Sequence, residues 1–151
     1  MGIEENKEVV KEFVERFGNG DNSVVDELTT EDWVSHLIIG KGIKLDKNVI
    51  KQTNVSGHVG FADYSMTIDD MIAEGDKVMV LCTRRGTNTG EFGNIPPTGK
   101  EVQISRFTLY RLENGKIAET WNMDDMLGQY QQLGVLPPTA EFVQAYKDSL
   151  K

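Results

Sequence analysis

Residues 115–128 hold the side chains whose types and spacing point most directly to chemistry. The first half of this stretch predicts a β-strand, and alternate residues of a strand share one face of the sheet. A carboxylate beside apolar residues of that face would have a raised pKa, so it could act as a general base or acid. The residues predicted to share the face are Ile117, Glu119, Trp121, Met123 and Asp125.

Asp125 has two interpretations, and spacing alone leaves both open. In the first it is a catalytic carboxylate at the end of the Trp121 and Met123 face. In the second it caps the N-terminus of a helix predicted over residues 126–133, because Asp is a favoured N-cap residue. The two interpretations are compatible. Asp124 is predicted to point to the opposite face.

Other polar side chains are candidates for lining a pocket. His36 lies in an apolar segment, where it is either a hydrogen-bonded core residue or a group that orients or protonates a substrate. Arg84 lies in an apolar strand, so its charge must be paired, with Glu119 as a plausible partner, or must face a wet cavity. Asn88 follows that strand and is either a turn residue or a hydrogen-bond donor to a substrate oxygen.

Metal and nucleophile sites are not indicated. His36, His58 and Cys82 are the only imidazole and thiol groups, and their spacing matches no recognised metal site. Cys82 lies inside an apolar strand, which predicts an inert thiol. His58, which is flanked by glycines in the segment Gly57-His-Val-Gly60, is predicted to lie on the surface of a loop.

Helical patterns dominate the first sixty residues, and strand patterns dominate the next sixty-five. Helices followed by consecutive antiparallel strands predict one α+β domain over residues 1–151, with a curved sheet wrapped around the helices as a cone that encloses a pocket. Helices are predicted at 3–17, 23–28, 46–53, 126–133 and 139–150, strands at 64–73, 77–85, 101–112 and 116–125, and a short buried segment at 33–39.

Composition excludes several classes of partner. The 151 residues carry a net charge of −8, which argues against binding to nucleic acid and disfavours docking on anionic membranes. No apolar run approaches the roughly 20 residues that span a bilayer, and the first residues are rich in Glu and Lys rather than signal-like. The single cysteine fits a reducing compartment, so we expect a cytoplasmic protein.

Five short motifs, in this order, resemble those of the SnoaL-like polyketide cyclase (ester cyclase) family of the NTF2-like superfamily. The similarity covers most of the chain, from about residue 36 to residue 134. The motifs are Gly86-Thr-Asn-Thr-Gly-Glu-Phe92, Ile95-Pro-Pro-Thr-Gly-Lys100, Gly115-Lys-Ile-Ala-Glu-Thr-Trp121, Asp125-Met-Leu-Gly128 and Gln131-Gln-Leu-Gly134.

The resemblance implies an α+β cone with a deep, largely apolar cavity, assembled into a homodimer or a higher homo-oligomer. Characterised cyclases of the family close a ring by intramolecular aldol condensation, with no metal or organic cofactor. Their acid/base residue is an Asp after the Trp strand, and Asp125 matches that position. The chain departs from the family at Asn88, where many relatives have His, and at Ala62, where many have Pro.

The leading hypothesis is therefore a cofactor-independent acid/base enzyme that acts on a small, hydrophobic carbonyl compound. Asp125 would remove a proton alpha to a carbonyl, and the carbanion would close a ring within the same molecule. Candidate substrate-binding residues are His36, Arg84, Asn88, Glu119, Trp121 and Met123. The alternative is a non-catalytic NTF2-like protein whose pocket binds a hydrophobic small molecule, because an apolar cavity with a few polar groups describes both.

Overall fold

Two N-terminal helices form one layer of the fold in the computed structural model, which describes residues 2–151. Helix α1 (Ile3–Gly18) buries the stripe that contains Val10, Phe13 and Val14. Helix α2 (Ser23–Leu28) buries Val24 and Val25. The 3.6-residue period of the apolar side chains predicted both helices, and their bounds agree with the prediction to within one residue.

A single six-stranded sheet forms the second layer. Its strand order is β2-β1-β6-β5-β4-β3, with β1 parallel to β6 and every other pair antiparallel. The four long strands predicted in the second half are confirmed. The strands are β1 (Thr29–Leu37), β2 (Ile43–Leu45), β3 (Ser65–Glu74), β4 (Lys77–Thr87), β5 (Glu101–Glu113) and β6 (Lys116–Asp124).

The sheet is curved and does not close on itself. Its register shifts at three places: between Thr29 and Val34, between Ile68 and Asp70, and between Arg111 and Leu112. Such bulges bend a strand and increase its local twist. The concave face packs against α1 and α2, so the predicted α+β cone is confirmed.

The first half of the chain contains more regular structure than its pattern predicts. The segment expected only as a short buried stretch is strand β1, and β2 extends the sheet beyond it. Helix α3 (Lys47–Gly60) begins after Asp46, whose side chain accepts a hydrogen bond from Val49 N (3.0 Å), as predicted.

Helix α3 also continues well past its predicted end near residue 53. Asn54 Nδ2 donates to the carbonyl of Phe17 (3.0 Å) and to Asn22 Oδ1 (2.8 Å). These bonds attach α3 to the end of α1 and to the start of α2. Tertiary contacts of this kind stabilise a segment whose glycines give it a low intrinsic helix propensity.

Two helices follow the sheet. Helix α4 (Met126–Leu133) ends at Gly134, which has the left-handed φ of 78° that favours glycine. Helix α5 (Thr139–Ser149) buries none of its residues. The linker between them is held by Gln131 Nε2, which donates to the carbonyl of Pro137 (3.2 Å) and to Thr139 Oγ1 (3.1 Å). Within residues 2–151, no helix is long and apolar enough to cross a membrane.

Candidate functional site

A cavity of about 190 Å³ lies between the helices and the concave face of the sheet. Most of its wall is apolar and comes from α1, α3 and the sheet, including Phe13, Phe17, Ile50, Trp33 and Met66. The polar groups in the wall are therefore few, and their positions decide what the cavity can bind. The most prominent are His58, Tyr64, Arg84, Arg106, Asn122 and Asp124.

Three charged side chains meet in one wall of the cavity and form what we term the arginine–aspartate cluster: Arg84, Arg106 and Asp124. Oδ1 of Asp124 accepts from Arg106 Nε (2.7 Å) and from Arg84 Nη1 (3.0 Å), and Oδ2 accepts from Arg106 Nη2 (2.8 Å). The side chain of Asp124 is only 4% exposed. Because β4, β5 and β6 are adjacent, one inward-facing residue from each strand suffices to build the cluster.

The cluster stays charged. Burial by itself raises the pKa of Asp124, but the charges and hydrogen bonds of Arg106 and Arg84 outweigh it and hold that pKa well below its usual range. Burial likewise opposes the charge of Arg106, and Asp124 overcomes it, so the pKa of Arg106 is raised. Two guanidiniums against one carboxylate leave one net positive charge in the cavity wall.

Tyr64 and His58 extend the polar part of the wall. The hydroxyl of Tyr64 accepts from Arg84 Nε (2.9 Å), and the rings of Tyr64 and His58 meet edge to face with centroids 5.0 Å apart. The prediction that His58 lies on a loop surface is wrong, because α3 continues to Gly60 and carries His58 to the cavity. Its Nε2 is sealed from solvent with no hydrogen-bond partner among the described residues.

A second set of polar side chains in the cavity region lies on β1, β5 and β6. Asn122 Nδ2 donates to Ser35 Oγ (2.7 Å), and its Oδ1 accepts from Thr108 Oγ1 (3.0 Å). Nearby in the lining, Trp33 Nε1 and Thr120 Oγ1 are sealed, and neither has a partner within residues 2–151. Buried polar atoms without partners are uncommon in folded proteins, so these two atoms mark places where a ligand could form hydrogen bonds.

The face of β6 that carries Glu119, Trp121 and Met123 does not line the cavity, and the prediction that it does is wrong. Ile117 is fully buried and faces inward, opposite Leu112, but the register shifts by one residue before Glu119 pairs with Arg111. This bulge at Ala118 reverses the alternation. Thr120, Asn122 and Asp124 therefore face the cavity, and Met123 is 51% exposed on the outer face.

His36 lies on the same outer face and is likewise outside the cavity. Its Nε2 contacts Glu119 Oε1 (2.7 Å), and its ring stacks on Trp121 with centroids 5.2 Å apart. Glu119 also accepts from Arg111 Nε (3.3 Å). The hydrogen bond from His36 is the main cause of a lowered pKa at Glu119. The predicted pairing of Glu119 with Arg84 is wrong, because the two residues lie on opposite faces.

Asn88 is fully buried and is bonded entirely within the chain. Its Nδ2 donates to the carbonyls of Gly60 (3.2 Å) and Gly90 (2.8 Å), and its Oδ1 accepts from the backbone N and the hydroxyl of Thr98 (both 2.9 Å). These bonds fasten the loop between β4 and β5 onto the end of α3. The side chain does not line the cavity, which supports the turn interpretation over the substrate-donor interpretation.

Asp125 is exposed and caps α4, with Oδ1 accepting from Gly128 N (2.8 Å). A Cβ at position 128 would overlap this carboxylate, so any other residue there would displace the Asp125 side chain from its present position. The structure thus places Asp125 outside the cavity lining and Asp124 inside it. A chemical role for Asp125 stays a prediction.

Of the seven predicted site residues, the cavity lining contains only Arg84. Arg106 was missed although its signal is in the sequence: it shares the two-residue period of Val102, Ile104 and Tyr110, which are all buried. A charged residue in phase with a buried stripe is a strong indication of a polar site in the core. Cys82 is buried as expected, and burial raises the pKa of its thiol to about 11.

Solved structures with this fold include proteins of more than one proposed activity. AclR from Streptomyces galilaeus, a proposed hydroxylase, is 25% identical with a TM-score of 0.80 over 90% of this chain and 100% of its own. IdmH from Streptomyces antibioticus, a proposed polyketide cyclase, is 28% identical with a TM-score of 0.75 over 85% of this chain and 98% of its own.

A SnoaL-like protein from Jannaschia sp. CCS1 is 22% identical with a TM-score of 0.79 over 89% of this chain and 95% of its own, a likeness that concerns the fold alone. No curated protein sequence matches the chain. The family model of the SnoaL-like polyketide cyclases matches residues 7–133, which span α1 to α4 and include every residue of the arginine–aspartate cluster. The chain therefore belongs to the SnoaL-like polyketide cyclase family.

Proposed function

We propose that the protein is a cofactor-independent acid/base enzyme that closes a ring in a small carbonyl compound. The observation that carries this proposal is the arginine–aspartate cluster, a carboxylate and two guanidiniums in the wall of a mainly apolar cavity. An apolar wall strengthens electrostatic interactions with any charge that develops on a bound substrate. Membership of a cyclase family supports the reaction class.

In the proposed reaction, Asp124 takes a proton from the carbon alpha to a substrate carbonyl, and Arg84 and Arg106 stabilise the enolate oxygen. The enolate carbon then attacks a second carbonyl of the same molecule, which forms a carbon–carbon bond and an alkoxide. The alkoxide takes the proton back from Asp124. The reaction is an isomerisation, so it needs no oxidant, reductant or co-reactant.

The lowered pKa of Asp124 makes it a weaker base than a free carboxylate. The same two guanidiniums would also lower the pKa of a carbonyl compound bound beside them, because they stabilise negative charge on either oxygen. So weak a base suits only a substrate whose alpha proton is already acidic, and the two guanidiniums add to that acidity because they stabilise the enolate. A 1,3-dicarbonyl compound, already acidic at its central carbon, suits this arrangement.

Neighbouring aspartates provide the test. The exchange of alpha protons for deuterium is followed by NMR in D₂O, with a panel of small β-keto esters and 1,3-diketones, for wild type, Asp124→Asn and Asp125→Asn. We expect Asp124→Asn to lose roughly 10²-fold or more of the exchange rate. Asp125→Asn should keep the rate and lose at most about 1 kcal/mol of stability, since only a helix cap is altered.

Each opposite outcome is informative. Loss of exchange in Asp125→Asn alone would transfer the role of base to the position that the family resemblance predicted. Equal exchange in all three proteins, for compounds shown to bind, would overturn the enzymatic proposal and favour a protein whose pocket only binds a small molecule. Thermal denaturation of each variant separates a loss of chemistry from a loss of fold.

A further inference from the structure

The cavity wall offers more hydrogen-bond donors than its own acceptors use. Arg84 donates from Nε to Tyr64 and from Nη1 to Asp124, and Arg106 donates from Nε and Nη2 to Asp124. Within residues 2–151, Arg84 Nη2 and Arg106 Nη1 have no acceptor, and neither nitrogen is sealed from solvent. A guanidinium has five N–H donors and no acceptor, so the unused groups call for a ligand that accepts hydrogen bonds.

The net charge of the cavity wall and its unused hydrogen-bond donors both favour an anionic ligand. The cluster carries one net positive charge, because a single carboxylate serves two guanidiniums. Elsewhere in the lining, Trp33 Nε1 is sealed and has no partner among residues 2–151, and an indole nitrogen only donates. The side chains of Arg84 and Arg106 are about one fifth exposed, and an anion that pairs with a partly buried positive charge stabilises it. The wall therefore suits an anionic ligand better than a neutral one.

The volume of the cavity limits the size of that ligand. A cavity of roughly 150 Å³ holds one benzene molecule. At about 190 Å³, this cavity has room for one six-membered ring with a small substituent. The limit is set by bulky side chains from three elements, Phe13 and Phe17 on α1, Trp33 on β1 and Tyr110 on β5.

We propose that the cavity binds a monoanion about the size of a single six-membered ring, with a delocalised oxyanion that accepts hydrogen bonds from Arg84 and Arg106. The oxyanion is either a carboxylate or the enolate of a 1,3-dicarbonyl compound. This inference deepens the proposed function, on which it rests for its reaction chemistry, because it names the substrate class. Binding itself does not depend on turnover.

Calorimetric titration of wild type with unreactive probes tests charge and size separately. Benzoate is compared with neutral benzamide, and naphthoate and anthracene carboxylate extend the ring system. The enolate of cyclohexane-1,3-dione is compared with neutral cyclohexanone. We expect benzoate or the enolate to bind about ten-fold or more tightly than its neutral counterpart, the range of a charge-assisted hydrogen bond. The fused-ring acids should bind more weakly despite their larger apolar surface.

Adjacent arginines on β4 supply a matched pair of variants. Arg84 lines the cavity, whereas Arg85 is exposed and donates to Gln103 (2.9 Å). Arg84→Gln should lose about ten-fold in benzoate affinity and leave benzamide unaffected, and Arg85→Gln should change neither. The inference would be overturned if both neutral probes, benzamide and cyclohexanone, bind as tightly as their anionic counterparts. Anthracene carboxylate binding as tightly as benzoate, or no binding of any probe, would also overturn it.

Asp124→Asn separates this inference from the proposed function. The change removes the carboxylate and leaves two unneutralised guanidiniums, so benzoate should bind at least as tightly as to wild type. The same variant should lose alpha-proton exchange if Asp124 is the base. Retained exchange with tight benzoate binding would overturn the proposed role of Asp124 alone. Weakened benzoate binding in a folded Asp124→Asn protein would overturn the inference about the anion.

Discussion

The two faces of strands β4 to β6 carry the same kinds of charged group in opposite settings. On the cavity face, Asp124 lies between Arg84 and Arg106 and is almost fully buried. On the outer face, Glu119 lies between His36 and Arg111, and all three side chains are partly exposed. Each carboxylate thus has two basic partners. The basic partners are exposed to a similar extent on both faces, so the difference lies in the burial of the carboxylate and in the nature of one partner.

Burial determines how strongly the charges in each cluster interact. Charges in a low-dielectric wall interact strongly and become costly if one partner is lost, whereas solvent and salt screen charges at a surface. The cavity cluster pairs its carboxylate only with arginines, which do not lose their charge at physiological pH. The outer cluster has His36 in place of one arginine, and its carboxylate is partly exposed to solvent. Only the cavity cluster therefore provides a permanent electrostatic feature that a substrate could meet.

The largest expected difference in stability is between substitutions of Arg106 and Arg111, two arginines of β5 whose side chains lie on opposite faces of the sheet. Arg106→Met leaves the buried Asp124 with a single partner, and we expect it to lower the free energy of unfolding by about 3 kcal/mol. Arg111→Met removes two partly exposed ion pairs, with Glu113 and Glu119, and should lower the free energy of unfolding by less than about 1 kcal/mol. Urea denaturation of both variants measures the difference. Equal losses would mean that the two faces do not differ in their electrostatic environment.

A second difference concerns acid stability. The folded-state pKa of Asp124 lies below its unfolded value of about 3.9, so its contribution to stability is present above that pH. The contribution is lost as the pH falls from about 4 through the folded-state pKa. Asp124→Asn should therefore show a flatter decline in the free energy of unfolding below pH 4 than wild type.

Glu119→Gln is the control for this pH experiment. The pKa of Glu119 is lowered too, mainly by the hydrogen bond from His36, but solvent reaches the pair. Its effect on acid stability should be smaller than that of Asp124→Asn. Urea denaturation at a series of pH values from neutral to strongly acidic compares the two variants. A steeper acid dependence in Asp124→Asn than in wild type would contradict the assigned role of the two arginines.

Local patterns predicted most of the fold. The apolar stripe of α1, the four long strands and the Asp46 and Asp125 caps all depend on neighbours in sequence, and periodicity or capping chemistry reveals them. Strand β1 was missed because it joins the sheet by pairing with β6, about 85 residues away in sequence, as in the pair His36 and Trp121. Strand β2 joins the sheet only through its pairing with β1. Nothing local distinguishes such a segment from a short buried stretch.

The site was harder to predict because one bulge residue in β6 changes which of the later residues of that strand face the cavity. Alternation from Ile117 onward is a sound rule for a regular strand, but the bulge at Ala118 shifts every later residue by one. The prediction consequently placed Asp125 in the pocket, where the structure places Asp124. A bulge depends on the register of both strands, so the sequence of β6 alone does not reveal it.

We propose that two copies of the chain associate through the outer face of the sheet. Substitutions on this face are expected to have the smallest effect on the stability of the folded chain. Met123 is paired with Phe107 in the sheet, and both side chains are about half exposed, at 51% and 50%. Adjacent large apolar side chains on an open sheet face are typical of a protein–protein contact. The homodimer that the family resemblance implied would bury this pair.

Sedimentation equilibrium of wild type and Met123→Lys tests the outer face. We expect wild type to sediment as a dimer and the variant as a monomer, because a lysine ammonium at the centre of an apolar contact is desolvated without a partner. Val55→Lys, which alters a 55% exposed side chain on α3, is the control and should stay dimeric. Binding of benzoate to Met123→Lys should be unchanged, since the cavity face does not include Met123. A monomeric wild type, or a dimeric Met123→Lys protein, would show that the apolar outer face is not the contact between copies.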